Sequence, residues 1–296
     1  MIVSIDGSFM LHRARHVVAK EDNPTMDQMV CIFLRLLINT VDQFNPSSIY
    51  AYFDKGRSKH RTEILEQYKG NRKKDPDCPV QQAYEQARDF LHENLPSLGI
   101  ISVLEEGIEA DDFAYLLAHD NTPEPGVHIS DDRDWFLNLF PGWYLYRAKA
   151  DELISYEDLC NIVDCTVMPQ MVYLITKAMV GDQSDNIPGV RGVGWGTAVK
   201  LAPKILNRED LGSSSKAKLV NKNIEVVKRN MCVMSPTWIS HSEEAREILR
   251  EAVDRVQKVS IPIVTWKKFS ELLTLDYRSE FMGLANKYNK VIKGTK

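Results

Sequence analysis

The chain has 296 residues, of which 44% are hydrophobic and 26% are charged, a composition typical of soluble globular proteins. No segment approaches the roughly 18 to 20 apolar residues that a membrane-spanning helix needs, since the most apolar one, CIFLRLLINTV, is interrupted by Arg35. The formal net charge of −4 decides nothing about an anionic partner, because basic and acidic residues gather in separate segments and cancel in the sum.

The cellular compartment is indicated by the amino terminus and the cysteines. The first residues, MIVSIDGSF, lack the charged start and the long apolar run of a signal peptide. The five cysteines form no CxxC pair and leave one over. These features predict a reduced, cytoplasmic protein without structural zinc.

Short apolar runs alternate with helical segments in the first half of the chain. The runs MIVSI, SIYAYF, IISVL and GVHIS read as strands, and residues 26–44 and 82–95 have helical periodicity. This alternation predicts an α/β fold with a mostly parallel central sheet flanked by helices. WYLYRA (143–148) and ELISY (152–156) predict two further strands in an edge hairpin.

The pattern becomes helical after about residue 170, apart from a serine-rich loop at residues 211–218. No internal repeat is present. We therefore expect an α/β core at residues 1–180 and a helical region at residues 181–296.

Acidic residues follow the predicted strands, at the ends where parallel sheets bind ligands. Three more lie in GIEADDF, where they would crowd the first turn of a helix, and two in GDQSDN, before a glycine-rich run. In chain order they are Asp6, Asp54, Glu109, Asp111, Asp112, Asp132, Asp134, Asp182 and Asp185.

Several carboxylates in one crevice cannot all ionise unaided. Two like charges about 4 Å apart repel by roughly 4 kcal/mol at an effective dielectric near 20. Their pKa values must rise, or cations must neutralise them. Carboxylates without companion His or Cys favour Mg²⁺ or Mn²⁺. Two such ions roughly 3.5–4 Å apart form the usual clamp for phosphodiester hydrolysis.

Each acidic segment also has an ordinary structural interpretation. A single aspartate after a strand is more often a turn former or a helix cap than a ligand. Acids in EADD suit the positive end of a helix dipole, SDDRDW suits a solvated loop, and GDQSDN suits an Asx turn. Their joint placement at successive strand ends favours the metal site.

Basic residues gather at residues 55–61 and 68–74. In YKGNRKK, Tyr68 is suited to stack on a base, and Lys69 and Arg72 are suited to hold a phosphate. A solvated loop before a helix is an equally good interpretation.

The segment IPGVRGVGWGTAVKLAPKIL (187–206) predicts a tight glycine turn that opens a helix. Glycine allows close backbone approach, and a helix start offers free N–H groups to an anion. No strand precedes it, which argues against a dinucleotide fold. The segment favours a hairpin that grips a nucleic-acid backbone, with Lys200 and Lys204 one turn apart.

These motifs together resemble the 5′-nucleases, a family of flap endonucleases, polymerase 5′-exonuclease domains and phage 5′-exonuclease/RNase H enzymes. The similarity runs from Asp6 to about Lys204 through IDGS, YFDKG, YKGNR, EADD, SDDRDW, KAMVGDQSDN and IPGVRGVGWGTA. The compact length is most similar to the phage branch, which implies a protein of the host cytoplasm.

The resemblance implies individual roles. It places Asp6, Asp54, Glu109, Asp111 and Asp112 around a first metal ion, and Asp132, Asp134, Asp182 and Asp185 around a second. The catalytic set would be Lys69, Arg72, Asp111, Asp132 and Asp182. The DNA-binding set would be Tyr68, Lys69, Arg72, Lys177, Gly192, Val193, Gly194, Gly196, Lys200 and Lys204. Asp131 stands where the family has Thr or Ser, and is not expected to be a ligand.

The resemblance also implies a helix–turn–helix at residues 187–204 that binds duplex DNA, with K⁺ in its turn, and an arch near residues 68–95. The turn reads GWGTA where many relatives carry lysine or proline, and two prolines follow Arg72. These departures leave open whether the arch threads a 5′ end.

The implied function is a Mg²⁺-dependent 5′-3′ exonuclease or 5′-flap endonuclease, with Mn²⁺ as a substitute and RNase H activity as an extension. Its partners would be DNA with 5′ ends, flaps or RNA primers, in replication or repair, and a single-strand-binding protein is a candidate. We expect a monomer without membrane contact. The alternatives are a catalytically silent DNA-junction-binding module and a small acidic toxin-type RNase.

Overall fold

The computed structural model describes residues 1–21, 23–72, 75–121 and 124–257, together with residues 271, 273, 277–279 and 282–287. Its centre is a six-stranded sheet in the order β3-β2-β1-β4-β5-β6. The strands are β1 (Ile2–Asp6), β2 (Ser48–Lys55), β3 (Ile100–Glu106), β4 (Gly126–Ile129), β5 (Trp143–Arg147) and β6 (Glu152–Ile154).

The strand pairing confirms the predicted α/β class and the predicted edge hairpin. Strands β1 to β5 pair in parallel, and β6 pairs antiparallel with β5. The chain moves outward from β1 to β3 and then crosses back to β4 on the other side of β1. This reversal opens a crevice beyond the carboxyl ends of β1 and β4, where ligands bind in such sheets.

Within the described part of the chain, three helices of 12 to 16 residues cover one face of the sheet. They are α1 (Gly7–Val18), α2 (Met26–Val41) and α4 (Pro79–Asn94). Thr25 and Gln28 form a capping box at the start of α2, which satisfies two backbone N–H groups that a helix start leaves free. Leu11, Phe33 and Leu91 meet the buried side chains of β1 in one hydrophobic cluster.

The remaining helices lie on the other face or extend from it. They are α3 (Lys59–Ile64), α5 (Ala110–Asp120), α6 (Tyr156–Val163), α7 (Pro169–Val180), α8 (Trp195–Leu206), α9 (Ser215–Lys222), α10 (Ile224–Met234) and α11 (Glu243–Gln257). A second hydrophobic cluster joins the sheet, α5, α7 and α10 through Val103, Phe113, Leu174 and Val227. None of the described helices is both long and apolar enough to cross a bilayer.

The helical pattern after residue 170 is interrupted by a small hairpin. Strands β7 (Gly181–Asp182) and β8 (Ile187–Pro188) pair antiparallel between α7 and α8. Two-residue strands are too short to leave a periodic pattern in the sequence, so they were not expected. The hairpin carries Asp182 and Asp185 and leads directly into the glycine turn.

The segment expected to form an arch, residues 68–95, consists mostly of α4. This helix packs against α1 and α2 and buries Ala87 and Leu91. Residues 73 and 74 lie outside the described residues. The described residues between 69 and 78 contain neither helix nor strand.

The hairpin between α7 and α8 predicts a steric requirement at Gly189. A Cβ added at Gly189 would lie 2.0 Å from the carbonyl oxygen of Val180, whereas one added at Gly196 would meet no atom within 4 Å. We expect Gly189→Ala to lower the free energy of unfolding by about 1–3 kcal/mol through overpacking. Urea denaturation followed by circular dichroism measures this.

Gly196→Ala is the matched control, because Gly196 lies in α8 and alanine favours a helix by up to about 1 kcal/mol. Equal destabilisation by both variants would show that the close approach at Gly189 does not constrain the hairpin.

Candidate active site

A cavity of about 210 Å³ lies at the crevice beyond β1 and β4. Seven of the nine predicted acidic residues line it, namely Asp6, Asp54, Glu109, Asp111, Asp132, Asp134 and Asp185. Lys69 and Arg72 line it too. Asp182 lines an adjoining cavity instead, and Asp112 is fully buried.

The carboxylates are fixed by backbone and side-chain hydrogen bonds. Asp6 caps α1 by accepting from the N–H of Phe9 at 2.8 Å, and its other oxygen accepts from Ser130 Oγ at 2.8 Å. Asp54 accepts from the N–H of Ala110, at the start of α5, at 2.8 Å. The helix-cap interpretation is therefore confirmed for Asp6, and the same bonds orient the carboxylates in the cavity.

We call Asp6, Asp54, Glu109, Asp111 and Asp112 the first acidic group, and Asp132, Asp134, Asp182 and Asp185 the second. The second acidic group is ordered in the same way. Asp132 accepts from the N–H of Asp134 at 3.0 Å, at the start of a 3₁₀-helical turn. Asp182 accepts from the N–H of Ser184 at 2.8 Å, which confirms the Asx-type turn in GDQSDN. Lys177 of α7 contacts the carboxylate of Asp134, and its Nζ lies 3.2 Å from Asp182 Oδ2. Lys177 is thus a buried bridge between two carboxylates.

Arg61 is the main contributor that we did not predict. It is 2% exposed, and its Nη1 lies 3.0 Å from Glu109 Oε2 and 2.8 Å from Asp112 Oδ2. Its Nη2 lies 2.8 Å from Asp112 Oδ1 and 3.4 Å from Asp111 Oδ2. Its Nε donates to the carbonyl of Val233 in α10 at 3.0 Å. The available signal was the basic run 55–61 directly after β2.

The predicted phosphate-binding pair is held against the acidic loop. The N–H of Lys69 donates to the carbonyl of Asp185 at 2.8 Å, and Lys69 Nζ lies 2.8 Å from Glu109 Oε1. Arg72 Nη2 lies 2.6 Å from Asp185 Oδ1, and the Arg72 side chain is 55% exposed. Both cations thus reach the carboxylate cavity, and Arg72 also faces solvent.

Tyr68 does not have the free ring that a base-stacking residue needs. It is 2% exposed, and its hydroxyl lies 2.8 Å from Glu109 Oε2 and 3.2 Å from Asp185 Oδ2. Lys69 Nζ lies 5.0 Å from its ring centroid. The stacking role expected for Tyr68 is wrong for this structure, because the tyrosine packs beneath the carboxylates and the lysine.

The glycine turn before α8 is held from α9. Gly192 has φ +84°, and its carbonyl accepts from Lys216 Nζ at 2.6 Å. Val193 is buried, whereas Lys200 is exposed and Lys204 half-buried. A K⁺ ion in this turn would compete with the Lys216 ammonium for the carbonyl of Gly192.

Burial and mutual repulsion perturb the acidic groups. Burial, with Asp54 nearby, raises the pKa of Asp6 to about 8. Burial, with Asp134 nearby, raises the pKa of Asp132 to about 6. Burial acts in the same direction on Glu109, but Arg61 and Lys69 outweigh it and lower the pKa of Glu109 to about 2. The cavity therefore lacks positive charge mainly around Asp6 and Asp132.

The residues fit a hard divalent cation. Within the described residues, no three acidic, histidine or cysteine side chains already surround one point, because Arg61, Lys69 and Lys177 hold several of the oxygens. Asp111 Oδ1, however, is buried without any hydrogen-bond partner in the described part of the chain. Burial raises the pKa of Asp111 well above its usual range. An oxygen-lined cavity with an unpartnered carboxylate oxygen suits Mg²⁺ or Mn²⁺.

The cavity with its seven carboxylates, Lys69 and Arg72 thus lies at the switch point of a parallel sheet. The family model of the 5′-3′ exonuclease, N-terminal resolvase-like domain, matches residues 1–160. The chain belongs to this 5′-3′ exonuclease family. The enzyme class expected from the sequence is thereby confirmed at the level of the family.

Individual relatives agree with this assignment. The 5′-3′ exonuclease of Bacillus subtilis is 31% identical over 210 residues, 68% of this chain and 69% of the relative. The 5′-3′ exonuclease of Buchnera aphidicola is 27% identical over 271 residues, 88% of each chain. The bacteriophage T5 D15 flap endonuclease, in a complex with DNA and metal ions, superimposes with a TM-score of 0.69 at 19% identity, covering 87% of this chain and 99% of that one. This last likeness shows the fold.

The buried Arg61 predicts a large stability effect. Arg61→Met would leave Asp112 buried without its cation and Glu109 with Lys69 alone, and breaking a buried pair of this kind costs about 3–5 kcal/mol of unfolding free energy. Arg250→Met is the control, because Arg250 makes two ion pairs but is 57% exposed, and ion pairs between exposed side chains add little to stability. Urea unfolding of both variants measures the difference; losses of equal size would contradict the role given to Arg61.

The raised pKa of Asp6 predicts a pH dependence in metal-free buffer. Its pKa is about 8 in the folded chain against an ordinary 3.8, so the folded state binds this proton more tightly. The free energy of unfolding should therefore fall as pH rises from about 4 to about 8. Asp6→Asn should flatten this slope in urea titrations with EDTA, and the surface variant Asp210→Asn should not. An unchanged slope in Asp6→Asn would count against a buried, proton-binding Asp6.

Proposed function

We propose that the chain is a metal-dependent, structure-specific 5′-nuclease that hydrolyses phosphodiesters of DNA near a 5′ end or flap. The observation that carries the proposal is the cavity in which seven carboxylates face Lys69 and Arg72. Membership in the 5′-3′ exonuclease family supports the reaction class. The T5 relative, crystallised with DNA and metal ions, supports the substrate class and the cofactor.

Two Mg²⁺ ions, or Mn²⁺ in their place, would be held by the two acidic groups. Asp6, Asp54, Glu109 and Asp111 would hold the first, and Asp132, Asp134, Asp182 and Asp185 the second. When bound, such ions activate water and stabilise the negative charge that develops on the phosphate. Asp112 has a different role in our proposal, because both of its oxygens bind Arg61. Through Arg61 it would position the other carboxylates of the first acidic group.

The chain's own cations would hold the scissile phosphate. Lys69 keeps its proton despite burial, because Glu109 and Asp185 raise its pKa. Arg72 presents a planar, always charged donor set to the cavity rim. Asp185 holds Arg72 within 2.6 Å of its carboxylate, so the guanidinium is already positioned before substrate arrives. Preorganised charge of this kind stabilises a transition state without reorganisation.

The duplex beside the cut would lie on the glycine turn and α8. Residues 187–204, with the N–H groups at the start of α8, would act as the helix–turn–helix that binds the backbone. Gly192, Gly194, Gly196, Lys200 and Lys204 would supply its contacts. Lys216 already satisfies one carbonyl of the turn, so this segment would need K⁺ less than a turn without such a lysine.

Finer properties belong to the same proposal. We infer RNase H activity on RNA–DNA hybrids, a role in primer removal, replication or repair, a monomeric protein in the cytoplasm, and cooperation with a single-strand-binding protein. They follow from the resemblance to the phage branch.

A catalytically silent junction-binding module is the second candidate. It is favoured by the contacts of Arg61, Lys69 and Lys177, which partly neutralise the carboxylates. The raised pKa of Asp6 and the unpartnered oxygen of Asp111 favour the nuclease instead, since both show that the neutralisation is incomplete.

Cleavage of an end-labelled 5′-flap duplex in Mg²⁺ tests the proposal. The wild-type chain should cut near the junction, and Asp111→Asn should cut at least about 100-fold more slowly, since even indirect metal-site changes cost 10–100-fold. Glu106→Gln, at the end of the neighbouring strand β3 but outside the cavity, should cut like wild type. If the wild-type chain bound the flap tightly but did not cut it, the nuclease proposal would be wrong and the junction-binding module would be the better interpretation.

A further inference from the structure

A second, larger cavity adjoins the carboxylates, and its apolar wall has no role in the proposed reaction. It has a volume of about 700 Å³ and shares Asp132 and Asp134 with the smaller cavity. Asp182 and Trp195 also line it. It therefore runs from the second acidic group to Trp195, the first residue of α8. We call it the Trp195 groove.

Trp195 is exposed although it is a large apolar residue. It is 37% exposed, whereas Trp135 and Trp143 are 2% and 0% exposed. Its ring contacts Tyr173 edge to face, with centroids 5.4 Å apart and planes at 60°. This contact fixes the indole and leaves more than a third of its surface in solvent. A rigid aromatic ring held open to solvent is typical of a binding surface.

The lining of the groove selects a flat, uncharged ligand. Its wall is formed by the apolar side chains of Phe136, Ile154, Ile162, Val180, Tyr173 and Trp195. Five carboxylates stand against three basic groups around it, and the arginine of β5 already pairs with Glu152 at 3.0 Å. Asp132, Asp134 and Asp182 would hold a metal ion in the proposed nuclease, so the net charge of the lining does not select the ligand. The apolar wall does, because a nucleobase is planar, neutral and stacks on aromatic rings.

We propose that the Trp195 groove receives one nucleobase of the DNA substrate, stacked on the indole of Trp195, on the duplex side of the scissile phosphate. The proposal rests on the proposed nuclease function. Its position follows from the groove itself, which begins at Asp132 and Asp134 and ends at the helix that would hold the duplex. A base at a nick or junction leaves its stack at the least cost, so the groove favours interrupted duplexes over continuous ones.

The test couples a change in the protein to a change in the DNA. Flap duplexes with single abasic positions on the duplex side of the junction are bound in EDTA, where no cutting occurs, by wild type and Trp195→Ala. Loss of one stacked base should weaken binding about tenfold. We expect one abasic position to weaken the binding of DNA by the wild-type chain by that factor. Trp195→Ala should weaken the binding of intact DNA by the same factor. In this variant, the same abasic position should cause no further loss of affinity.

Two variants keep the result interpretable. Trp195→Phe retains a stacking ring and should recover most of the affinity. Leu153→Ala removes an apolar side chain that is 50% exposed on β6 without lining the groove, and it should bind like wild type. Intrinsic fluorescence gives a second readout, because DNA should quench the emission of wild type and leave that of Trp195→Phe unchanged.

Three outcomes would contradict the proposal that a base stacks on Trp195. Unchanged DNA binding by Trp195→Ala would leave the groove to another ligand, such as an apolar segment of a protein. If the loss of affinity caused by Trp195→Ala multiplied with the loss caused by each abasic position, the two changes would be independent, and no base would contact Trp195. Absence of flap binding by the wild-type chain would contradict the nuclease proposal as well. Normal binding in EDTA and normal cutting in Mg²⁺, without coupling between Trp195 and an abasic position, would contradict only the proposal that a base stacks on Trp195.

Discussion

One guanidinium group holds three carboxylates together beneath the cavity. Glu109, Asp111 and Asp112 lie within four consecutive residues, and at separations near 4 Å each pair would repel by roughly 4 kcal/mol at an effective dielectric near 20. Arg61 contacts all three, and it meets Asp112 in the two-pronged geometry that only arginine offers. The start of α5 can therefore be acidic and buried at once.

Arg61 also links the acidic site to the carboxy-terminal helices. Its Nε donates to the carbonyl of Val233 in α10, and Asn230 of the same helix donates to the carbonyls of Ala178 and Pro188. One helix therefore contacts the supports of both acidic groups, α3 on one side and the β7–β8 hairpin on the other. The helical region that follows residue 181 in the sequence is thus part of the framework that positions the carboxylates.

Neutralisation is uneven across the cavity, and this unevenness is what suits it to divalent ions. Arg61 and Lys69 both contact Glu109 and lower its pKa to about 2 despite its burial. Asp6 accepts two hydrogen bonds but contacts no ammonium or guanidinium group among the described residues, and its pKa rises to about 8. A cation that enters the cavity gains most at Asp6, Asp132 and the unpartnered oxygen of Asp111.

The sequence predicted the positions that follow from strand ends. Asp6 and Asp54 lie at the carboxyl ends of β1 and β2, and Asp132 follows β4; parallel strands bring these ends to one edge. The hydrogen bonds of these residues do not exclude the metal site that we propose, because each carboxylate that accepts such a bond also lines the cavity. The hydrogen bond by which the Asp6 carboxylate caps the N–H of Phe9 also fixes the orientation of that carboxylate in the cavity.

The sequence could not predict features that depend on distant contacts. Arg61 is one of several basic residues in the run 55–61, and the contacts that bury it come from residues 48 to 172 positions away. Tyr68 was expected to stack on a base, but it is buried and its hydroxyl contacts Glu109 and Asp185, which lie 41 and 117 positions away. Asp111 and Asp112 differ because neighbouring helical residues point about 100° apart, so that one faces the cavity and the other faces Arg61.

The presence of cations in the cavity is open to direct observation. Crystals of the wild-type chain soaked in Mn²⁺ at millimolar concentration can be measured at the manganese absorption edge, where the anomalous signal identifies the ion. We predict anomalous density inside the cavity, in contact with Asp111 and with carboxylates of both acidic groups. Density confined to the outer surface would contradict this, and would show that Arg61, Lys69 and Lys177 complete the neutralisation themselves.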